Sequence, residues 1–227
     1  MLAGDPYPGR VPPAAVLFDL YDTLVEGSWD DWHRWLAGQL GVAPSVLRAA
    51  YDRTRPARSV GAYSDEQADL RAVLEAAGVE SPAPALVAEL VAAERAFMTS
   101  NVHLHDDALP VLRALRDRGV PTALVSNCSH NTTAVVERLG LANELDAVVL
   151  SFAVGASKPQ PAIYRLALQR LGDPPPGDTV FVDDQPGFCD GAAALGIATR
   201  LIARTGEPSQ ADGHRVIRSL AELLDAP

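Results

Sequence analysis

Ala14-Ala15-Val16-Leu17-Phe18-Asp19-Leu20-Tyr21-Asp22-Thr23-Leu24 is the stretch whose reading decides the fold. Its first five residues form a short apolar run, β-branched in part and bounded upstream by Pro12-Pro13, which reads as a buried strand with Asp19 at its carboxyl end. In open α/β sheets, ligands bind at that end. A carboxylate there is a nucleophile or a metal ligand, or it caps the turn that follows, and the residue by itself leaves these open.

Beyond this strand the chain changes character. From about Ser28 to Asn101 no strand-like run appears, and Leu86, Leu90, Val91, Glu94 and Phe97 follow helical spacing, so the stretch reads as a helical insert. Trp29, Trp32 and Trp35, also at helical spacing, are expected in the core of that insert. From His105 onward strands and helices alternate. Helix Ala108 to Asp117 is followed by strand Pro121 to Ser126, helix Thr132 to Leu139, strand Ala147 to Ser151 and helix Ala162 to Leu171. Strand Thr179 to Asp183, helix Gly191 to Leu195 and strand Ala198 to Ile202 complete the series. Such alternation implies parallel strands joined by right-handed crossovers.

Composition narrows the function classes. With 227 residues, 48% hydrophobic and 21% charged, the chain is long enough for one sizeable core plus a small insert. No apolar stretch approaches the length of a membrane span, and the start, Met1 to Pro13, lacks a basic region followed by an apolar one, so a cytoplasmic protein without a membrane partner is expected. A net charge of -10 disfavours a nucleic-acid surface, which needs clustered Lys and Arg. Cys128 and Cys189 are too few for a disulfide framework and lack metal-site spacing, so free thiols are expected. Nothing in the sequence separates a monomer from a homodimer.

Polar residues close the later strands as well. Ser126-Asn127 ends one, Asp183-Asp184 ends another, and Lys158-Pro159 stands between them after a Gly-containing loop. Singly, each has an ordinary structural explanation as a cap, a turn or a surface lysine. Together they form a set suited to phosphoryl transfer. Asp19 could attack, Lys158 could offset charge on the transferring oxygens, and Ser126 and Thr23 could donate hydrogen bonds to them. Asp183 and Asp184 could bring Mg²⁺ close, because a bare carboxylate is repelled by a phosphoryl group unless a cation offsets both.

With these motifs in place, the chain resembles the haloacid dehalogenase superfamily, in the branch with a helical cap inserted after the first motif. The resemblance rests on Phe18 to Leu24, Val125 to Ser129, Ser157 to Tyr164 and Phe181 to Gly191. It implies an α/β fold: a Rossmann-like parallel-sheet core, residues 1–27 and 102–227, and a helical cap domain, residues 28–101. It also implies Asp19 as nucleophile, Ser126 and Lys158 as contacts to a phosphate or carboxylate, Thr23, Tyr21 and Asn127 as further contacts to substrate, and Mg²⁺ held by Asp19, Asp183, Asp184 and the Tyr21 carbonyl. A cap arginine reaching toward a small anionic metabolite is expected from the cluster Arg53, Arg55 and Arg58, with Arg55 as the candidate. His130, near the Ser126 loop, is the one histidine placed to join the site.

Two positions depart from the phosphatase pattern. Phosphatases of this superfamily carry a general acid Asp two residues after the nucleophile, where this chain has Tyr21, a weak donor and a poor base at neutral pH. Tyr21, Asn127 and Tyr164 instead resemble the 2-haloacid dehalogenases, whose leaving halide needs no proton. Those enzymes are metal-free and uncharged where this chain has Asp183-Asp184. Phe188 stands where both branches usually have Asp or Asn. Three readings stay open: a Mg²⁺-dependent phosphohydrolase acting through an aspartyl phosphate on Asp19, a 2-haloacid dehalogenase-like hydrolase, and a phosphate-binding homologue without turnover.

Overall fold

The computed structural model describes residues 12–206 and 213–225. Of the start considered above, Met1 to Pro13, residues Met1 to Val11 lie outside the described residues. Strand β1 (Ala15–Phe18) enters first, followed by β2 (Val25–Gly27), helices α1 (Trp29–Leu40), α2 (Pro44–Ser59), α3 (Glu66–Ala76) and α4 (Pro84–Asn101), and β3 (Val102–Leu104). Then come α5 (Ala108–Asp117), β4 (Thr122–Ser126), α6 (Thr132–Arg138), α7 (Leu141–Glu144), β5 (Ala147–Leu150), α8 (Ser151–Val154) and α9 (Pro161–Arg170). The chain continues through β6 (Thr179–Asp183), α10 (Pro186–Ala193), β7 (Ala198–Ile202), β8 (Arg215–Ile217) and α11 (Glu222–Asp225).

Six strands form one parallel sheet in the order β5-β4-β1-β6-β7-β8. From β1 the chain works outward through β4 and β5, then returns to the other side of β1 through β6. That reversal makes the β1/β6 boundary the topological switch point, where a crevice opens beyond the carboxyl ends of the strands. Period-two alternation in the strands divides the sheet's packing. Val16, Phe18, Leu124 and Val182 belong to one cluster with Val111, Leu112 and Leu115 of α5. Leu17, Val125 and Phe181 belong to the other, with Ile163, Tyr164 and Ala167 of α9 and Ala192 of α10.

The four helices α1 to α4 bury a third cluster, with Trp32, Leu36, Leu47, Leu74, Val87 and Leu90 among its members. The antiparallel ribbon β2/β3 closes the base of this segment, pairing Gly27 with Val102. Of the three tryptophans expected in that core, Trp32 is buried there, Trp35 is 42% exposed, and Trp29 packs instead against the sheet-side cluster. Four prolines open helices: Pro44, Pro84, Pro161 and Pro186 all sit in the first turn, where a missing N–H costs no hydrogen bond. For α10 this moves the start from the expected Gly191 to Pro186, and Gly191 lies mid-helix. A Cβ at Gly191 would come within 2.7 Å of the Pro159 carbonyl oxygen, so glycine allows α10 to approach the loop that carries Lys158. No helix among the described residues is long and apolar enough to cross a membrane.

The helical segment meets the sheet domain closely at Gly61, just beyond α2. Gly61 has φ +67°, and a Cβ there would lie 2.1 Å from the Phe152 carbonyl oxygen of α8. Gly119 has a similar φ of +70° but open space around it. Gly119→Ala is expected to lose about 1 kcal/mol, the cost of the left-handed backbone alone. Gly61→Ala should lose roughly 2–4 kcal/mol, because the overlap falls on a backbone atom. Urea unfolding midpoints of the two variants check this, and equal losses would refute the contact.

Candidate active site

Strand register sets the site. Phe18 pairs with Val182, so Asp19 and Asp183 follow side by side at the switch point, and the Asp19 N–H donates to the Val182 carbonyl at 2.9 Å. Phe18 also pairs with Leu124, which brings Ser126 of β4 level with Leu20 in the loop after β1. That loop turns tightly: the N–H groups of Leu24 and Val25 both donate to the Leu20 carbonyl, and Asp22 takes the left-handed conformation. Thr23 and Ser126 are fully buried, and neither hydroxyl oxygen has a hydrogen-bond partner among the described residues.

Lys158 occupies the centre. Its Nζ lies 2.5 Å from Asp19 Oδ1 and 2.6 Å from Asp183 Oδ2, and the ammonium group is fully buried. Burial alone would lower its pKa, but the Asp183 and Asp19 carboxylates outweigh that and hold it charged above the ordinary lysine value. Two ring faces complete its surroundings, Phe188 at 4.9 Å and Phe181 at 5.5 Å from the centroids. Phe188, the departure noted in the sequence, thus faces the ammonium with a ring where a carboxylate or amide is usual, and its carbonyl accepts the Tyr164 hydroxyl at 2.7 Å.

One oxygen from each of Asp19, Asp183 and Asp184 lies within 4.8 Å of the others. This is a hard-oxygen donor set of the kind Mg²⁺ takes. Burial raises the Asp183 pKa against the opposing pull of Lys158, and burial with the nearby Asp19 charge pushes Asp184 up to about 6. Asp183 spends one oxygen on Lys158 and the other on the Gln185 N–H. Asp184 accepts from the Gln185 side-chain amide.

Other candidates stand differently from the expectation. Asn127, expected to touch substrate, donates from Nδ2 to the Lys158 carbonyl at 2.8 Å and accepts the Lys158 N–H on Oδ1 at 2.7 Å. Its amide is spent at both ends on fixing the lysine backbone. Arg55 is exposed on the outer side of α2, whereas Arg58, one helical turn on, is buried and donates to Ser129 Oγ at 3.3 Å across the boundary with the sheet domain. The Tyr21 hydroxyl is tied to Thr132 Oγ1 at 3.0 Å and its ring packs edge-on against Trp29. Burial drives the Tyr21 pKa far above its ordinary value. His130 pairs through Nδ1 with Asp69 Oδ2 of α3 at 2.7 Å, tying the β4–α6 loop to the helical segment, and its ring packs at a tilt against Phe152. Cys128 and Cys189 are buried free thiols.

Thr132, Asp69 and Glu94 were not singled out from the sequence. Glu94 left a trace, since it falls on the apolar face of α4 among Leu90, Val91 and Phe97, and it is buried opposite Tyr51, Arg58, Glu66 and Asn131. Burial, then the neighbouring Glu66 charge, pushes its pKa from 4.5 up to about 7.

A sequence profile of the haloacid dehalogenase-like hydrolases matches residues 13–196. The haloacid dehalogenase-like hydrolase domain-containing protein 3 of Mus musculus is 34% identical over 126 residues, 51% of this chain and 48% of that protein. Phosphatase MT3486 of Mycobacterium tuberculosis is 31% identical over 121 residues, 52% of this chain and 54% of that protein. The chain thus spans about half the length of these curated relatives. A solved structure of a dehalogenase superposes with a TM-score of 0.68 at 24% identity, covering 93% of this chain and 95% of the other, which is a likeness of fold.

The raised Glu94 pKa gives a pH test. Between about pH 4.5 and 7 the folded protein holds a proton that the unfolded chain has released, so stability falls as pH rises through that window and stays lower above it. The neutral variant Glu94→Gln should therefore be more stable than the native chain at pH 8, by up to roughly 3 kcal/mol, and nearly equal at pH 4. Denaturant unfolding at the two pH values measures it, and a pH-independent difference would contradict the assignment.

Proposed function

The chain belongs to the haloacid dehalogenase-like hydrolases, and on that footing we propose that it is a Mg²⁺-dependent phosphohydrolase acting on a small anionic metabolite through an aspartyl phosphate on Asp19. The observation that carries this reading is the clustering of Asp19, Asp183 and Asp184 around a single lysine. Three carboxylates against one ammonium leave an excess of negative charge at the switch point. A haloacid carboxylate would be repelled there, whereas a divalent cation would be held. Asp19, Asp183 and Asp184 with the Tyr21 carbonyl are the ligands proposed for Mg²⁺. When bound, the cation would offset the charge of phosphate and nucleophile together.

In this scheme the Asp19 carboxylate forms a bond to phosphorus as the bond to the leaving oxygen breaks, and water later cleaves the acyl phosphate and restores Asp19. The buried hydroxyls of Thr23 and Ser126 donate to the equatorial oxygens, and Lys158 supplies the fixed positive charge. Helices α1 to α4 act as the cap that excludes water. Tyr21 is a poor proton donor, since its hydroxyl is engaged by Thr132 and its pKa is raised. The leaving group therefore departs without general acid help, which points to acyl phosphates rather than alkyl esters. The same observation favours the second reading, a dehalogenase, whose halide needs no proton. The phosphatase relative from Mycobacterium tuberculosis agrees with the first.

Assay of acyl phosphates, alkyl phosphates and 2-haloacids, each with Mg²⁺ and with chelator, separates the readings. Phosphate release from an acyl phosphate that requires Mg²⁺ and is abolished by Asp19→Asn is expected. Halide release insensitive to chelator would replace this reading with the dehalogenase, and silence across the panel would favour a binding protein. Tyr21→Asp should raise alkyl phosphate turnover by about 10²–10⁴-fold.

A further inference from the structure

We propose that Arg204 is a positioning residue of the site: by holding the Thr23 carbonyl it sets where the Thr23 hydroxyl stands. This deepens the phosphohydrolase reading and rests on it for the task of that hydroxyl. The loop after β1 is tied mostly by its own backbone. The Leu20 carbonyl takes the N–H groups of Leu24 and Val25, the Val25 carbonyl takes the Asp22 N–H at 2.7 Å, and the Leu24 carbonyl takes the His105 N–H at 3.0 Å. Side-chain identity does not enter these bonds. The Thr23 carbonyl differs, because its donor is a terminal guanidinium nitrogen of Arg204, two residues beyond the end of β7.

Thr23 and Leu24 are fully buried, so without the guanidinium their shared peptide carbonyl would be an acceptor with neither protein nor water to pair it. Relief comes from turning the Thr23–Leu24 peptide. That turn moves the residue whose hydroxyl is buried without a partner and is left for a ligand. The arginine is itself fixed from behind. Its other terminal nitrogen donates to Asp107 Oδ1 at 2.9 Å and Oδ2 at 2.7 Å, while Nε is buried without a partner among the described residues, so the two terminal nitrogens carry its placement. Asp107, directly before α5, also accepts from Ser219 Oγ at 2.6 Å and the Leu220 N–H at 2.8 Å. An arginine that only joined the end of β7 to α5 would need Asp107 alone, whereas here the second nitrogen is spent on the loop that follows Asp19.

A double-mutant cycle tests whether the arginine acts through the hydroxyl. Arg204→Gln, Thr23→Val and the double variant are compared in acyl phosphate hydrolysis with Mg²⁺, each below its own melting temperature. Either single change should lower kcat by roughly 10²-fold with KM changed far less. The double variant should be about as slow as Thr23→Val alone. An Arg204→Gln variant as fast as the native chain, losses that multiply in the double variant, or a change confined to KM would overturn the proposal. A second measurement needs no turnover. Thr23-Leu24 is the one Thr-Leu pair in the sequence, so threonine labelled with ¹³C at the carbonyl and leucine with ¹⁵N give a single peptide resonance. Loss of the guanidinium donor in Arg204→Gln should move that carbonyl resonance upfield, and a resonance that stays in place would overturn the proposal whether or not the chain is active. Arg204→Lys, which keeps a charge beside Asp107 and loses the fork that reaches Thr23, takes its place in both measurements if Arg204→Gln does not fold. A native chain that hydrolyses no acyl phosphate would sink the function proposed above, while a shifted carbonyl would still assign Arg204 to the loop.

Discussion

A buried ammonium held between two carboxylates is the interaction around which the other parts of the site are arranged. Lys158 touches Asp19 from β1 and Asp183 from β6, the two strands that flank the switch point. With the lysine removed, two carboxylates would face each other out of reach of water, a state that costs several kcal/mol. The ion pairs therefore depend on everything that fixes the lysine backbone. Asn127 clamps that backbone from the end of β4, Gly191 lets α10 close on Pro159, and the Phe181 and Phe188 rings cover the ammonium. Four separate segments thus converge on one charge, and the resulting site retains an excess of acid that suits a cation.

The sheet was legible because its strands are short apolar runs separated by amphipathic helices. β6 and β7 begin and end where the pattern placed them, and β4 and β5 differ by one residue at an end. The polar residues at the strand ends were legible for the same reason, since parallel register carries Asp19 and Asp183 to one level. The ends of helices were harder. The helix expected from Gly191 starts at Pro186, because proline is tolerated in a first turn. Strand β8 and the short helices α7, α8 and α11 left no pattern long enough to read.

What the sequence did not show was which way a polar side chain is spent. Arg55 and Arg58 belong to the same basic cluster, and only the phase of α2 separates them. Leu47, Ala50, Thr54 and Arg58 lie along one buried stripe, which puts Arg55 on the solvent side. Extending that stripe through the cluster would have selected Arg58. Asn127 is a different case, because an amide that contacts substrate and one that pins a backbone have the same spelling. Glu94 illustrates the useful exception: a carboxylate on an apolar helical face is a conflict between pattern and chemistry, and such conflicts mark places where burial does something other than fill a core.

The loop between β4 and α6 joins the strand ends of the sheet to the helical segment. Within a few residues of chain, Ser126 is buried at the end of β4, Asn127 fixes Lys158, Ser129 receives Arg58, His130 holds Asp69, and Thr132 engages the Tyr21 hydroxyl. Any shift of the helical segment that pulls on Arg58 or Asp69 is therefore felt within a few residues by the group that holds the lysine. The position of Tyr21 follows from the same loop. Its hydroxyl is directed at Thr132, and its ring is backed by Trp29 at the entry to α1. A residue placed where an acid is usual has become part of the joint between the two halves of the molecule. On the proposed phosphohydrolase reading, that leaves Tyr21 a poor proton donor and favours leaving groups that depart as stable anions.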